Sequence, residues 1–264
     1  MDTARIADLL VPFLGPSSLS REPASLAESQ LKQISMYIDI LIRWSARINL
    51  TAVRRPEDIV TRHFGESIFA ARHLLSVSKD VASRISTRNH VGTVASTVPP
   101  SPSEVPATHP PYLIDVGSGA GFPGLPIKIW APHILLTLIE SNHKKATFLR
   151  EVIRATTLTN VNVFCGRAQQ FGLSAESGPP APRPAASSSN PSADLVTLRA
   201  VEQFDSILPI AASLLAPAGR LALLVGEAQV RPTYNLLPTF RWNDPVPIPL
   251  SSKRVLVIGT AEPN

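Results

Sequence analysis

The apolar positions of the chain follow a helical spacing in its first part and a strand-like spacing further along. Between Ser25 and Ile48, and again from Pro56, apolar side chains recur every three or four residues, which predicts two helices with one buried stripe each. Glu57 and Asp58 fall in the first turn of the second helix, where the helix dipole favours negative charge. The predicted stripes are Leu31, Ile34, Ile38, Leu41, Ile42 and Ile48 in the first helix, and Ile59, Val60, Phe64, Ile68, Ala71 and Leu75 in the second.

From Tyr112 onward, short apolar runs alternate with helical patterns. This order predicts an α/β fold with a mostly parallel, doubly wound sheet and helices on both faces. The predicted strands are 112–116, 134–139, 161–165, 194–198, 221–225 and 254–258, with helices at 144–155 and 207–215 and a turn at 217–219.

Two segments lack this patterning. Residues 76–111 and 174–192 are rich in small polar residues and proline, and few large apolar side chains are present to offset the entropy of ordering them. Both are predicted to be flexible insertions. We therefore expect a helical extension at 1–75, an insertion at 76–111, and an α/β domain at 112–264 that is interrupted at 174–192.

A glycine-rich turn follows the first predicted strand, directly after Asp115. Glycine has no Cβ, so the chain can bend sharply there and a ligand can approach the backbone closely. A strand, a glycine turn and a helix form the nucleotide-binding opening of open α/β sheets. The glycines of the turn are Gly117, Gly119, Gly121 and Gly124.

The turn also limits which nucleotide would bind. Its last three glycines fit the pattern G-x-G-x-x-G of dinucleotide sites, which keeps an NAD(P)-dependent oxidoreductase open. However, Pro123 and Pro126 occupy the helix start whose N–H groups a pyrophosphate would need, and Asp115 adds negative charge. The turn therefore favours a cofactor without phosphate.

Polar residues stand at the ends of the next three strands. Glu140 follows the glycines by about 20 residues, the spacing at which an acid binds ribose hydroxyls. Arg167, Ala168 and Gln169 follow the third strand. Arg199 ends the fourth; an arginine is no base at neutral pH, but it can pair with a carboxylate or with guanine O6 and N7.

The composition of the chain limits which binding partners and compartments are expected. The net charge of +5 and the pI of about 9.7 favour an acidic partner such as nucleic acid. The single cysteine, Cys165, excludes an internal disulfide, fits a reducing compartment and is predicted to lie in the core. Histidine and cysteine show no zinc spacing, and no apolar run reaches the ~18 residues of a membrane span, so neither a metal nor a membrane is expected.

Together these residues resemble the RsmG (GidB) family of bacterial 16S rRNA guanine-N7 methyltransferases. The similarity covers most of residues 25–260 outside the two insertions. Six motifs carry it, in the family's order: Arg43–Ala52, Arg62–Ser67, Asp115–Pro126, Glu140–Lys145, Gly166–Ala168 and Thr197–Ala200.

The resemblance implies a Rossmann-like class I methyltransferase with a seven-stranded sheet that uses S-adenosylmethionine (AdoMet). It implies 16S rRNA or a small-subunit ribosomal particle as partner, and a cytoplasmic monomer. It assigns no acid or base; Arg199, Arg167 and Lys144 are the candidates for positioning the substrate. Cofactor contacts are expected at Gly117, Phe122, Glu140, Ser141, Asn142, Ala168, Gln169 and Arg199, and the turn adds Asp115, Gly119 and Gly121.

Guanine N7 suits this residue set, because it has a lone pair in the ring plane and loses no proton on attack. Three positions depart from the family pattern: Gln169 and Glu66 replace an acid and an aspartate, and Val225 replaces a lysine. The departures at Gln169 and Val225 keep open a non-catalytic AdoMet- or RNA-binding assembly factor of the same fold. Methylation of a small molecule also stays open.

Overall fold

The computed structural model describes residues 1–15, 25–75, 109–171, 192–199 and 203–262. The predicted insertions at 76–111 and 174–192 lie outside the described residues, apart from 109–111 and Ser192.

Three helical segments form the N-terminal extension. Helix α1 spans Thr3–Leu14 and α2 spans Glu28–Ser45. Helix α3 begins at Pro56–Ile59, continues as a π-helix over Val60–Gly65, and returns to α-helix over 66–75.

Most positions of the two predicted stripes are buried. Ile34, Ile38 and Leu41 of α2 are enclosed, as are Phe64 and the other apolar positions of α3 up to Ala71. Ile42 is 42% exposed, so its prediction as a buried position was wrong: it stands next to the buried stripe near the end of α2.

The rest of the described chain builds one mixed sheet and the helices around it. The strands are β1 Tyr112–Val116, β2 Leu135–Glu140, β3 Val161–Cys165, β4 Ala193–Arg199, β5 Leu215–Gly226, β6 Phe240–Trp242, β7 Val246–Pro247 and β8 Arg254–Ala261. The helices are α4 Gly124–Trp130, α5 His143–Ala155, α6 Phe204–Ser213 and α7 Val230–Leu236, with 3-10 turns at Ala168–Gln170 and Glu227–Gln229.

The strands run in the order β3-β2-β1-β4-β5-β8-β6, and β7 pairs with β8. The first five strands are parallel, and β8 is antiparallel to its neighbours. The α/β architecture with a mostly parallel sheet is thus confirmed. The described residues contain eight strands rather than seven, because the two-residue strand β7 also pairs with β8.

The turn predicted at 217–219 lies inside β5. Ala193 pairs with Leu215 and Leu195 with Arg220, so residues 216–219 of β5 bulge out of the ladder. Ala218 has a positive φ of 61°, as turn residues have. Residues 217–219 thus bend locally as predicted, but they belong to strand β5 because β4 pairs with residues on both sides of them.

Helices cover both faces of the sheet and enclose two apolar clusters. The extension, α4 and α5 pack on one face, where Leu113, Leu138 and Leu224 point. Helix α6 and the residues around α7 pack on the other, where Ile114 and Leu223 point. The extension therefore shares its core with the sheet, and this brings its residues to the edge where the strands end.

Candidate active site

A cavity of about 920 Å³ lies at the carboxyl ends of the parallel strands. The glycine turn after β1, the ends of β2, β3 and β4, and the first residue of β8 reach it because parallel strands end at one edge of a sheet and β8 begins there. Its volume is in the range of about 300–1,000 Å³ typical of cofactor sites. The N-terminal extension closes it with Leu50–Val53 and His63.

The glycine turn has two functionally different glycines. Gly119 has φ +57°, and a Cβ added there would meet nothing closer than the carbonyl oxygen of Gly117 at 3.8 Å. Gly121 has φ +87°, and a Cβ there would collide with Tyr37 Oη and come within 2.7 Å of Leu125 Cδ1. Gly119 therefore keeps space open in the cavity, whereas Gly121 lets the turn pack against the extension.

Asp115 lies beneath the turn and is fully buried. Its carboxylate accepts hydrogen bonds from Thr197 Oγ1 at 2.8 Å and from the Gly124 N–H at 3.2 Å. Burial raises the pKa of the carboxyl to about 6, against the opposing effect of these hydrogen bonds. Asp115 and Gly121 are not among the cavity-lining residues, so the structure places these two predicted contacts behind the turn.

Glu140 joins the end of β2 to the glycine turn. Its Oε2 accepts the Gly119 N–H and its Oε1 accepts the Asn142 N–H, both at 2.8 Å. A carboxylate has about four lone-pair sites, so Glu140 can accept further hydrogen bonds from a ligand. It lines the cavity and is 6% exposed, which makes it a fixed acceptor.

The start of α5 orients two consecutive lysines differently relative to the cavity. Asn142 Oδ1 caps the helix by accepting the N–H groups of Lys144 at 2.9 Å and Lys145 at 3.2 Å. Ser141, Asn142 and Lys145 line the cavity, whereas Lys144 is exposed and is not among the lining residues. Successive residues point about 100° apart on a helix, so of these two lysines it is Lys145 that faces the cavity, and the role expected for Lys144 stays a prediction.

The loop after β3 forms another part of the wall, with Arg167, Ala168 and Gln169 among the lining residues. Ala168 is buried, and Arg167 and Gln169 are exposed. Cys165, at the end of β3, is half-buried and its Sγ lies 3.2 Å from His143 Nδ1. Its prediction as a core residue was wrong, because β3 is the edge strand of the sheet.

Arg199 is the most enclosed cation of the cavity wall, with 8% of its side chain exposed. Its Nη2 donates to the Arg62 carbonyl at 2.6 Å and to His63 Nδ1 at 3.0 Å, and lies 3.1 Å from Glu66 Oε2. Its Nη1 is buried and has no hydrogen-bond partner among the described residues. Burial lowers the pKa of Arg199 to about 10, so it stays protonated at neutral pH.

His63 is a neutral part of the wall, and the sequence indicated it only as a member of the motif Arg62–Ser67. Its ring stacks on the Phe122 ring with 4.6 Å between centroids, and the Arg199 guanidinium lies 6.0 Å from the centroid of the Phe122 ring. Burial, followed by the neighbouring arginine charges, lowers the pKa of His63 to about 3. Arginine only donates, so Nδ1 accepts and Nε2 donates to Thr51 Oγ1 at 2.8 Å.

Glu66 and Arg254 complete this end of the cavity. Glu66 follows the π-helical segment directly, is 2% exposed, and pairs through Oε1 with Arg254 Nη2. Arg254 is the first residue of β8 and lines the cavity. Only the tertiary fold could reveal this pair, because 188 residues separate its members.

Within the described ranges, no group of three or more His, Cys, Asp or Glu side chains is arranged to hold a metal ion. No helix in the described part of the chain is both long and apolar enough to cross a membrane.

Comparison with known proteins identifies the family. Residues 95–234, just over half of the chain, match the GidB family, described as rRNA small subunit methyltransferase G. The ribosomal RNA small subunit methyltransferase G of Chloroflexus aggregans is 32% identical over 242 residues, covering 89% of this chain and 83% of that protein. Proteins of the same name from Bacillus subtilis (33% identity) and Aquifex aeolicus (34% identity) match 59% and 57% of this chain, and 52% and 62% of their own lengths. The chain therefore belongs to the GidB family of rRNA small subunit methyltransferases.

Proposed function

We propose that this protein transfers the methyl group of AdoMet to N7 of a guanine in small-subunit ribosomal RNA. Membership of the family supports methyl transfer and the class of substrate. The cavity at the carboxyl edge of the sheet supports the location of the reaction.

Three features of the cavity fit AdoMet. Gly119 leaves a cradle that a Cβ would fill. Glu140 retains acceptor capacity for the ribose hydroxyls, and the buried, unpartnered Nη1 of Arg199 suits the carboxylate of the cofactor's amino-acid end. When bound, AdoMet supplies an electrophilic methyl group on a positively charged sulfur.

We assign the remaining contacts by position on the wall. Ala168 and Gln169 stand at the end of β3, beside Glu140, and would border the adenine. Gly117, Ser141 and Asn142 would contact the ribose and the amino-acid end, and Phe122 would close the cavity beside Arg199.

The observation that carries the choice of guanine N7 is the absence of a free base among the described lining residues. His63 has both ring nitrogens in hydrogen bonds and a pKa of about 3, so it takes up no proton at neutral pH. Glu140 holds two backbone amides. A guanine N7 needs no base, whereas a hydroxyl or exocyclic amine would have to lose a proton. The residues would therefore act by positioning the acceptor.

Cations on the wall and rim favour an RNA substrate. Lys145 and Arg167 line the cavity, and Arg62 is exposed beside it, so all three can meet phosphates. A guanine N7 in a regular RNA helix lies in a groove closed to side chains, so we infer an unpaired guanine as target. We further propose that the protein acts as a monomer, on free RNA or on a small-subunit particle, in the cytoplasm where bacterial ribosomes are assembled.

Tritiated AdoMet and unmethylated small-subunit RNA test the proposal, both as free RNA and as the assembled particle. We expect label in 7-methylguanosine after digestion to nucleosides. A transcript in which 7-deazaguanosine replaces guanosine is the matched control, because it lacks only the accepting nitrogen, and we expect no label in it.

Three results would contradict the proposal. Label in another nucleoside, or in the deaza transcript, contradicts N7 as acceptor. AdoMet binding with no transfer to free RNA or particles indicates a non-catalytic factor or a methyltransferase that acts on a small molecule. Binding of NADH in place of AdoMet, measured by calorimetry, would reject the methyltransferase reading altogether.

A further inference from the structure

One buried carboxylate holds two arginines at the wall of the cavity. Glu66 Oε2 lies 3.1 Å from Arg199 Nη2, and Glu66 Oε1 pairs with Arg254 Nη2. The carboxylate is 2% exposed and provides one negative charge for two positive charges. The cluster therefore carries excess positive charge that Glu66 alone does not neutralise.

Arg254 keeps donors available that its neighbours do not use. Its Nε is 3.4 Å from Ser251 Oγ and its Nη2 is paired with Glu66, but its Nη1 has no hydrogen-bond partner in the described part of the chain. Its side chain is 28% exposed, compared with 8% for Arg199. Glu66 thus fixes the guanidinium while one edge of it faces the solvent side of the cavity.

The place of Arg254 in the sheet separates it from the proposed ribose and adenine contacts of the cofactor. Glu140 ends β2 and Ala168 follows β3, whereas Arg254 begins β8, which lies beyond β4 and β5 on the other side of β1. Opposite Arg254 on β5 is Gly226, where an added Cβ would meet nothing closer than 3.8 Å. An anion at this position is therefore more than a strand's width away from the cofactor's ribose and adenine contacts, and space is open for it.

We propose that Arg254 binds a backbone phosphate of the RNA substrate next to the target guanine, and that Glu66 positions it for this. The inference rests on the proposed function, because it takes RNA as the second substrate. A planar guanidinium held at one nitrogen presents its remaining N–H groups in a fixed orientation to phosphate oxygens. Arg254 is then a substrate-binding residue outside the set that the sequence indicated.

The test measures KM for RNA as a function of salt concentration in Arg254→Met, Arg254→Lys and Arg241→Met. Methionine removes the charge and keeps an unbranched side chain. Arg241 is the matched control, because it is an exposed arginine on β6, the strand next to β8, and does not line the cavity.

We expect Arg254→Met to raise KM for RNA about tenfold or more, as the loss of a charge-assisted hydrogen bond does. The slope of log KM against log salt should fall by about 0.7 to 0.9, the value for one phosphate contact. Arg254→Lys should restore the slope but only part of the affinity. Arg241→Met should leave KM and slope unchanged, and all three variants should bind AdoMet like the wild type.

A slope in Arg254→Met equal to that of the wild type overturns the phosphate contact. Loss of AdoMet binding or of folding in both Arg254 variants would show that Arg254 only supports Arg199 through Glu66, and this also overturns it. Both results leave methyl transfer by the wild type intact. If the wild type itself transfers no methyl group to RNA, the proposed function fails, and the assignment of Arg254 fails with it.

Discussion

Alanine at Gly119 and alanine at Gly121 add the same methyl group to one turn, with opposite expected consequences. Both glycines have positive φ, so both substitutions cost about 1–2 kcal/mol in backbone strain. At Gly121 the new Cβ also collides with Tyr37 Oη and crowds Leu125, and overpacking of this kind adds about 1–3 kcal/mol. We therefore expect a loss of unfolding free energy of about 2–5 kcal/mol for Gly121→Ala, and of about 1–2 kcal/mol for Gly119→Ala.

The affinity for ligand should be reduced more in Gly119→Ala than in Gly121→Ala, the reverse of the order for stability. The Cβ of Gly119→Ala would stand in the cavity, where we place AdoMet, so this variant should lose at least about tenfold in affinity, or about 1.4 kcal/mol. Urea unfolding gives the stabilities, and titration calorimetry with S-adenosylhomocysteine gives the affinities. Wild-type affinity in Gly119→Ala would refute the placement of the ligand over this turn. Equal stability of the two variants would refute the packing role of Gly121.

Two further predictions concern the buried acid Asp115 and the start of α5. Burial raises the pKa of Asp115 from 3.8 to about 6, so its contribution to stability is fully present below pH 3.8 and is lost as the pH rises through 6. Relative to Asp115→Asn, the unfolding free energy of the wild type in urea should rise by about 2 kcal/mol between pH 7 and pH 4. A difference between the two proteins that does not change with pH would contradict this. Lys145→Ala should raise KM for RNA or AdoMet several-fold in steady-state assays, because Lys145 lines the cavity. Lys144→Ala should leave both KM values unchanged, because Lys144 does not line it. Equal effects of the two substitutions would contradict this difference between the lysines.

The sequence predicts the sheet well because its strands carry their signals locally. Apolar runs locate β1 and β3 to the residue, and the polar residues that end β2 and β4 place Glu140 and Arg199 at the edge where parallel strands end. Local signals fail where pairing decides the outcome. Residues 217–219 have turn chemistry but lie within β5, because β4 pairs on both sides of the bulge.

The site is predictable only where it follows from the strand ends. His63, Glu66 and Arg254 reach Arg199 because the extension packs onto the sheet and β8 pairs with β5. The apolar pattern predicts the buried stripes and the strand at 254–258, but it does not show what they pack against. The hydrophobic pattern also does not distinguish the π-helical segment at Val60–Gly65 from an α-helix, although π-helical segments are frequent at functional sites.

A crystal structure with S-adenosylhomocysteine bound tests the proposed binding mode most directly. We expect the ribose hydroxyls at the Glu140 carboxylate, the adenine beside Ala168 and Gln169, and the amino-acid carboxylate within hydrogen-bond distance of Arg199. An empty turn at 117–121, or a ligand bound there through phosphate groups, would contradict it.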